Sequence, residues 1–179
     1  MPTVISNRYA RALADVVAAE NNYRKVLEEL EAFAVIYHES VELRELCETP
    51  AVALAKKLSV LEAVVHLLGS SRVTLNFLRV LLSHHRLPLL DEVIQAFRKI
   101  SYARMGIVEV KISSAAGLTD QQRELLRVRF NELMRQQSEL QFHVDENLIG
   151  GVVAQIGSTV YDGSIRGRLD RIREQLMER

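Results

Sequence analysis

A single cysteine, Cys47, is all the thiol chemistry available to the 179-residue chain. No internal disulfide framework can form, and a reducing compartment is expected. Cys47 stands between Glu45 and Glu48; acidic neighbours raise a thiol pKa, so the residue reads as structural and not as a nucleophile. Net charge is missing too. Lysine plus arginine number 23 and aspartate plus glutamate number 23, evenly spread along the chain, so no global field draws it onto nucleic acid. Long apolar runs are absent. The longest uncharged stretch, 147–161, is broken by Gly150, Gly151 and Gly157 and is shorter than the ~20 apolar residues a membrane helix needs, so no membrane insertion is expected. Arg8, Arg11 and Asp15 interrupt the opening residues, which read as neither a signal nor a transit peptide. No G-x-S-x-G, H-E-x-x-H or Walker pattern occurs. The one histidine pair, His84-His85, occupies adjacent positions, about 100° apart on a helix and unable to converge as an i, i+4 metal pair does. Glu28, Glu29 and Glu31 read as a solvated charge run. Catalytic residues, metal ligands and a cofactor site are all expected to be absent.

Glycine and proline divide the chain. Only Gly69 precedes residue 106, whereas all three prolines, Pro2, Pro50 and Pro88, lie in the first half. An α+β protein is expected, with a helical bundle over 1–105 and a small domain of strands and two helices over 106–179. Tyr23, Val26, Leu27, Leu30, Phe33, Ala34 and Tyr37 follow helical spacing. Leu54, Ala55, Leu58, Leu61 and Val65 do the same, with Thr49 as the expected N-cap and Pro50 at the first helical position. Leu90, Val93, Ile94, Phe97 and Ile100 mark another helix, and 4–19 and 41–48 two more. Segment 71–85 is apolar on nearly every side except for Asn76 and Arg79, as a helix is when it sits centrally or lines a partner's groove. That makes about six helices with short connections.

After residue 106 the period changes. Val108, Val110 and Ile112 alternate with polar residues, as do Leu140, Phe142 and Val144; both segments read as half-buried strands. Thr119–Gln122 is a capping box, opening a helix with Leu126, Phe130 and Leu133 on one face. A third strand is expected over Leu148–Ile156, with a bulge or close backbone approach at Gly150-Gly151. Asp162-Gly163 reads as a turn, and a last helix starts near Ser164 with Ile165, Leu169, Ile172 and Leu176 as a narrow seam.

Two regions offer binding chemistry. Segment 148–169 opens a helix, and helix N-termini attract anions, so a phosphate- or nucleotide-binding domain is one reading; a turn with Asp162 or Ser164 as cap is the other. Arginines on the last helix share it with Asp170, Glu174 and Glu178 and lack interleaved aromatics, so nucleic-acid binding is not expected. The first helix carries Ile5, Tyr9, Ala12 and Val16 along one side. With segment 71–85 this makes either core or a groove for an amphipathic partner helix; for Tyr9 both readings stand, since a tyrosine keeps its ring dry and its hydroxyl wet.

Four blocks resemble the delta subunit family of the F-type ATP synthase, the bacterial relatives of the oligomycin-sensitivity-conferring protein. They are Arg8-Tyr9-Ala10-Arg11-Ala12-Leu13; Phe77–Leu82 with Arg86-Leu87; Val108–Thr119 with Ser114-Ala115 and Leu118-Thr119; and Leu148-Ile149-Gly150-Gly151-Val152 followed by Asp162-Gly163-Ser164-Ile165-Arg166-Gly167-Arg168-Leu169. The last, with Leu148, Gly150, Gly151, Asp162, Gly163 and Ser164, is the most specific. His84-His85 departs from a frequent Asn-Gly turn, and Ser158-Thr159 from a common acidic position. The resemblance implies a non-catalytic stator subunit, one copy per complex, lying peripherally at the cytoplasmic face of a bacterial membrane. It implies an alpha-subunit N-terminal helix held between the first and fifth helices, by Ile5, Tyr9, Ala12 and Val16 facing Val73, Asn76 and Val80. It implies peripheral-stalk b subunits engaging the second domain, through Leu169, Ile172 and Leu176 unless that seam is internal core.

Overall fold

The computed structural model describes residues 3–134 and 136–177; of 170–172 and 174–176 only the backbone is described. Two compact units form, Met1–Ser101 and Tyr102–Arg179. The division falls four residues before the expected one, inside the last turns of a helix.

The first unit contains α1 (Val4–Ala18), α2 (Tyr23–Glu39), α3 (Val41–Glu48), α4 (Leu54–Leu67), α5 (Arg72–Ser83), a 3-10 turn (Leu87–Leu89) and α6 (Leu90–Met105). Side-chain oxygens cap three of these helices: Thr3 accepts from Ser6 N, Ser40 from Leu43 N and Ser71 from Thr74 N. The α2 stripe is buried throughout, from Tyr23 to Tyr37. Phe33, Leu30, Leu61, Leu78, Leu81, Leu82, Leu90 and Phe97 fill the centre, each under 2 % exposed; each contributes about 1.5–3 kcal/mol of burial. Glu29 and Glu31 are not a solvated run. Glu29 accepts from the Ser71 and Thr74 hydroxyls at the start of α5, and Glu31 pairs with Arg98 of α6.

Helix α4 differs from its expected form. Thr49 is the C-cap of α3, its N–H donating to Glu45 O at 2.9 Å. Pro50 pushes the residue before it to extended backbone, which ends α3 instead of opening α4. The buried face of α4 is Lys57, Leu61 and Val65, while Leu54 and Ala55 are exposed and Leu58 half-buried. Lys57 is 2 % exposed. Its Nζ donates to the Cys47 carbonyl at 2.8 Å, answering an unpaired carbonyl at the end of α3. Cys47 is buried beside it. Burial pushes its thiol up, Lys57 opposes and Glu48 adds; the acidic neighbours are thus the lesser cause.

Three helices end alike. After α4, α5 and α6 the chain turns through a left-handed residue: Gly69 (φ 64°), His85 (φ 54°) and Gly106 (φ 66°). The next N–H reaches back five residues: Ser70 to Val65, Arg86 to Leu81 and Ile107 to Tyr102. This paired closure suits glycine. At His85 a β-carbon occupies it, at the position where the resembling family often has glycine.

The second unit holds β1 (Val108–Ser114), α7 (Asp120–Met134), β2 (Ser138–Val144), β3 (Val152–Ile156), β4 (Thr159–Asp162) and α8 (Ile165–Met177). The sheet order is β2-β1-β3-β4. β1 and β2 run parallel, joined through α7; β3 is antiparallel to β1 and β4. Register places Val110 beside Leu140 and Ile156, and Ile112 beside Phe142 and Ala154. That face, with Leu118, Leu126 and Phe130, is the small core. The capping box forms, Thr119 N donating to Gln122 Oε1 and Gln122 N to Thr119 Oγ1. The third strand begins at Val152, not Leu148, because Gly151 (φ 83°) cannot continue extended backbone. The short, exposed β4 was not expected. Its signal is Gly157-Ser158, a two-residue connection between β3 and β4 with Gly157 at φ 58°.

The left-handed cap at His85 yields a prediction. His85→Gly should raise the first unit's unfolding free energy by roughly 0.5–1 kcal/mol, measured by urea denaturation, whereas Gly69→Ala should lower it.

Candidate functional site

α1 is built with two useful faces. Ser6, Ala10, Leu13, Ala14 and Val17 are buried in the bundle. Ile5 and Tyr9 are half-buried, and Ala12 and Val16 are exposed, Val16 by 59 %. On α5, which packs against α1, Thr74, Phe77, Leu78, Leu81 and Leu82 are buried. Val73 is half-buried, and Asn76 and Val80 are exposed, Val80 by 45 %. Ile5, Tyr9 and Ala12 line a shallow cleft of about 340 Å³ together with Arg8 and Arg86. Val16, Val73, Asn76 and Val80 are outside its described lining. Arg8 and Arg86 were not among the expected groove residues. The signal for Arg8 was its place on the helical wheel, about 40° from Ala12 at about 100° per residue.

A carboxylate fixes where α1 begins. Glu92 of α6 accepts from Thr3 N at 2.9 Å and from Ser6 Oγ at 3.0 Å through the same oxygen. The Thr3 backbone N–H and then the two hydroxyls hold the Glu92 carboxyl below its ordinary range.

The glycine-rich block is a clasp. Gly163 N donates to Val152 O and Ile165 N to Gly150 O, each at 3.0 Å. A β-carbon on Gly151 would stand 2.5 Å from Gly163 O and 2.9 Å from Ser164 Cα. Asp162 Oδ1 accepts from Ser164 N at 2.8 Å, and Ser164 Oγ accepts from Gly167 N at 3.0 Å. A β-carbon on Gly167 would meet the Asp162 carboxylate at 2.5 Å, so a larger residue there would displace that side chain. Ser164 therefore caps α8 while Asp162 accepts from the cap's own N–H, so the chain's own groups already engage the Ser164, Ile165 and Gly167 N–H groups at this helix start. The phosphate-binding reading loses its site. Leu148 is half-buried ahead of this clasp.

On α8, Leu169 is 56 % exposed; the side chains of Ile172 and Leu176 lie outside the described residues. The sheet face away from α7 is also open, with Lys111, Ser113, Gln141, His143, Val153, Gln155 and Val160 around a shallow cleft of about 550 Å³. Among the described residues no group of three or more His, Cys, Asp or Glu side chains could hold a metal ion, and no helix is long and apolar enough to cross a membrane.

Comparison with known proteins covers both units. The profile of the family described as "ATP synthase delta (OSCP) subunit" matches residues 5–176. The chain is 40% identical over 173 residues to the ATP synthase subunit delta of Acidobacterium capsulatum, covering 96% of this chain and 97% of that one. It is 37% identical over 177 residues to the ATP synthase subunit delta of Myxococcus xanthus, covering 98% and 97%. Among solved structures it resembles a chain of the Toxoplasma gondii mitochondrial ATP synthase hexamer, with TM-score 0.73, 27% identity and 98% of each chain covered. A chain of the Polytomella F-ATP synthase matches with TM-score 0.51 and 28% identity over 55% of this chain and 87% of that one.

Two outcomes follow from this geometry. A carboxyl with a lowered folded pKa stabilises at higher pH, and its contribution is lost as pH falls through the folded value. Corrected amide exchange in α1 should therefore quicken relative to α2 below about pH 4, and Glu92→Gln should remove that difference. Gly151→Ala should destabilise the second unit by about 2–4 kcal/mol, read from the loss of its strand resonances in urea. Gly150→Ala should cost less, because its β-carbon meets only the flexible end of Ile165, at 2.7 Å.

Proposed function

The chain belongs to the ATP synthase delta (OSCP) subunit family, a peripheral-stalk component of the F-type ATP synthase, and from that premise we propose that it works as a non-catalytic tether with one contact on each unit. The first unit takes the N-terminal helix of one alpha subunit of the catalytic head in the groove of α1 and α5. The second engages the b subunits of the peripheral stalk. Together they keep the head from turning with the rotor, so that proton flow drives ATP synthesis. One copy serves each complex, at the cytoplasmic face of a bacterial membrane, with no cofactor and no insertion of its own.

The observation that carries the groove is the apolar outer side of α1 and α5. Two helices already packed into a bundle keep Ile5, Tyr9, Val16, Val73 and Val80 outside or at the edge of its core. An amphipathic helix laid there buries its own stripe against them. A static tether needs slow release instead of chemistry, and buried apolar contacts supply it. For the stalk contact the support is exposed Leu169 on α8; Ile172 and Leu176 extend the same row in sequence.

Calorimetric titration of the full chain with a synthetic peptide of the cognate alpha subunit's N-terminal helix tests the groove. Tyr9→Ala and Val80→Ala should each weaken binding about fivefold or more, as truncation of a central apolar contact does, with circular dichroism unchanged. Binding equal in all three proteins would place the alpha subunit elsewhere.

A further inference from the structure

Three arginines surround the outer side of α1. Arg8 and Arg86 line the shallow cleft together with Ile5, Tyr9 and Ala12. Arg8 also borders a second cleft, of about 450 Å³, with Val4, Asn7 and Arg11. All three arginines are exposed, and among the described residues none makes an ion pair or a side-chain hydrogen bond. Four arginines elsewhere do pair with carboxylates: Arg79 with Glu62, Arg98 with Glu31, Arg127 with Glu124 and Arg129 with Glu132. Glu92 of α6, which reaches the start of α1, is already engaged by Thr3 and Ser6. Arg8 and Arg86 thus bring two guanidiniums to one largely apolar cleft, with Arg11 beside Arg8 on the adjoining one, in a chain whose net charge is zero.

We propose that this groove selects an acidic amphipathic helix, one whose apolar stripe is flanked by carboxylates that pair with Arg8, Arg11 and Arg86. The inference rests on the groove reading above and adds to it the chemistry of the occupant. An apolar cleft accepts many amphipathic helices. Guanidiniums at its edge discriminate against basic ones and orient an acidic one, since unpaired like charges brought together are costly. Arginine suits the task because its planar fork holds a carboxylate through two N–H groups. These pairs are at the rim, so their effect is modest each, cumulative, and reduced by salt.

The test titrates the full chain with two designed helical peptides. Both carry leucine at i, i+3, i+4 and i+7; one has glutamates on both flanks of that stripe and the other has glutamine at the same places. At 50 mM NaCl, the glutamate peptide should bind about tenfold tighter, three rim pairs each giving roughly twofold. At 500 mM NaCl the ratio should fall towards one. The triple variant Arg8→Gln, Arg11→Gln, Arg86→Gln should bind both peptides alike, and the corresponding lysine substitutions should keep most of the preference. Equal binding of the two peptides by the wild-type chain, or a preference that survives the glutamine substitutions, overturns the charge rule. If the alpha-subunit peptide binds while neither design does, the charge rule falls and the groove stands. If no peptide binds, both fall.

Discussion

α1 is attached to its bundle by small side chains, and that attachment determines what the rest of the first unit can offer. Ser6, Ala10 and Ala14 have no exposed surface, and Leu13 and Val17 complete the inner face. A helix seated through small residues lies close to its neighbours. It then keeps its larger apolar groups, Ile5, Tyr9 and Val16, for the other side. Glu92 sets the first turn of α1 by holding Thr3 and Ser6 through one oxygen, so the outer stripe is presented by a helix whose start is fixed. Pre-organisation of this kind reduces what a partner must order on binding.

The second unit solves a different problem. Its core is thin: among the described residues Val110, Ile112, Leu140 and Ala154 form its buried apolar cluster, and α7 buries none of its own. The Gly150–Gly151 and Asp162–Gly167 clasp makes up part of the difference with backbone geometry. Gly151 and Gly163 let the start of β3 and the start of α8 approach backbone to backbone, where a β-carbon on Gly151 would stand 2.5 Å from Gly163 O and one on Gly163 3.0 Å from Val152 O. A carboxylate and a hydroxyl from within the same segment then engage N–H groups at the start of α8. Motif residues that look like ligand-binding glycines are thereby explained as architecture.

Much of this was legible in the sequence, and the misses have identifiable physics. The α2 stripe, the α6 stripe, the boundaries of α3 and the alternation in β1 all follow from period, which depends only on which face is buried; in β2 the alternation holds for Leu140 and Phe142 and lapses at Val144, 48 % exposed at the strand's end. Thr49-Pro50 misled because the same pair serves two purposes: proline at a helix start, or an extended residue ahead of proline at a helix end. Lys57 was invisible to a hydrophobic stripe because a charged residue is buried when its ammonium meets a carbonyl and its stem packs. β4 escaped because all four of its residues are exposed and nothing alternates. The arginines around α1 were visible as letters in a family block. That two of them share a cleft with Ile5, Tyr9 and Ala12 could only be read from the fold.

The central claim is that the outer side of α1 and α5 is an interface and not surplus core. Hydrogen exchange of the full chain, free and within the assembled ATP synthase, tests it most directly. The account predicts strong slowing on assembly in the amides of α1 and α5, with α2 and α3 unchanged, and a second protected region in the unit formed by residues 102–179. Unchanged exchange in α1 and α5, with protection falling instead on α3 or α4, would contradict it.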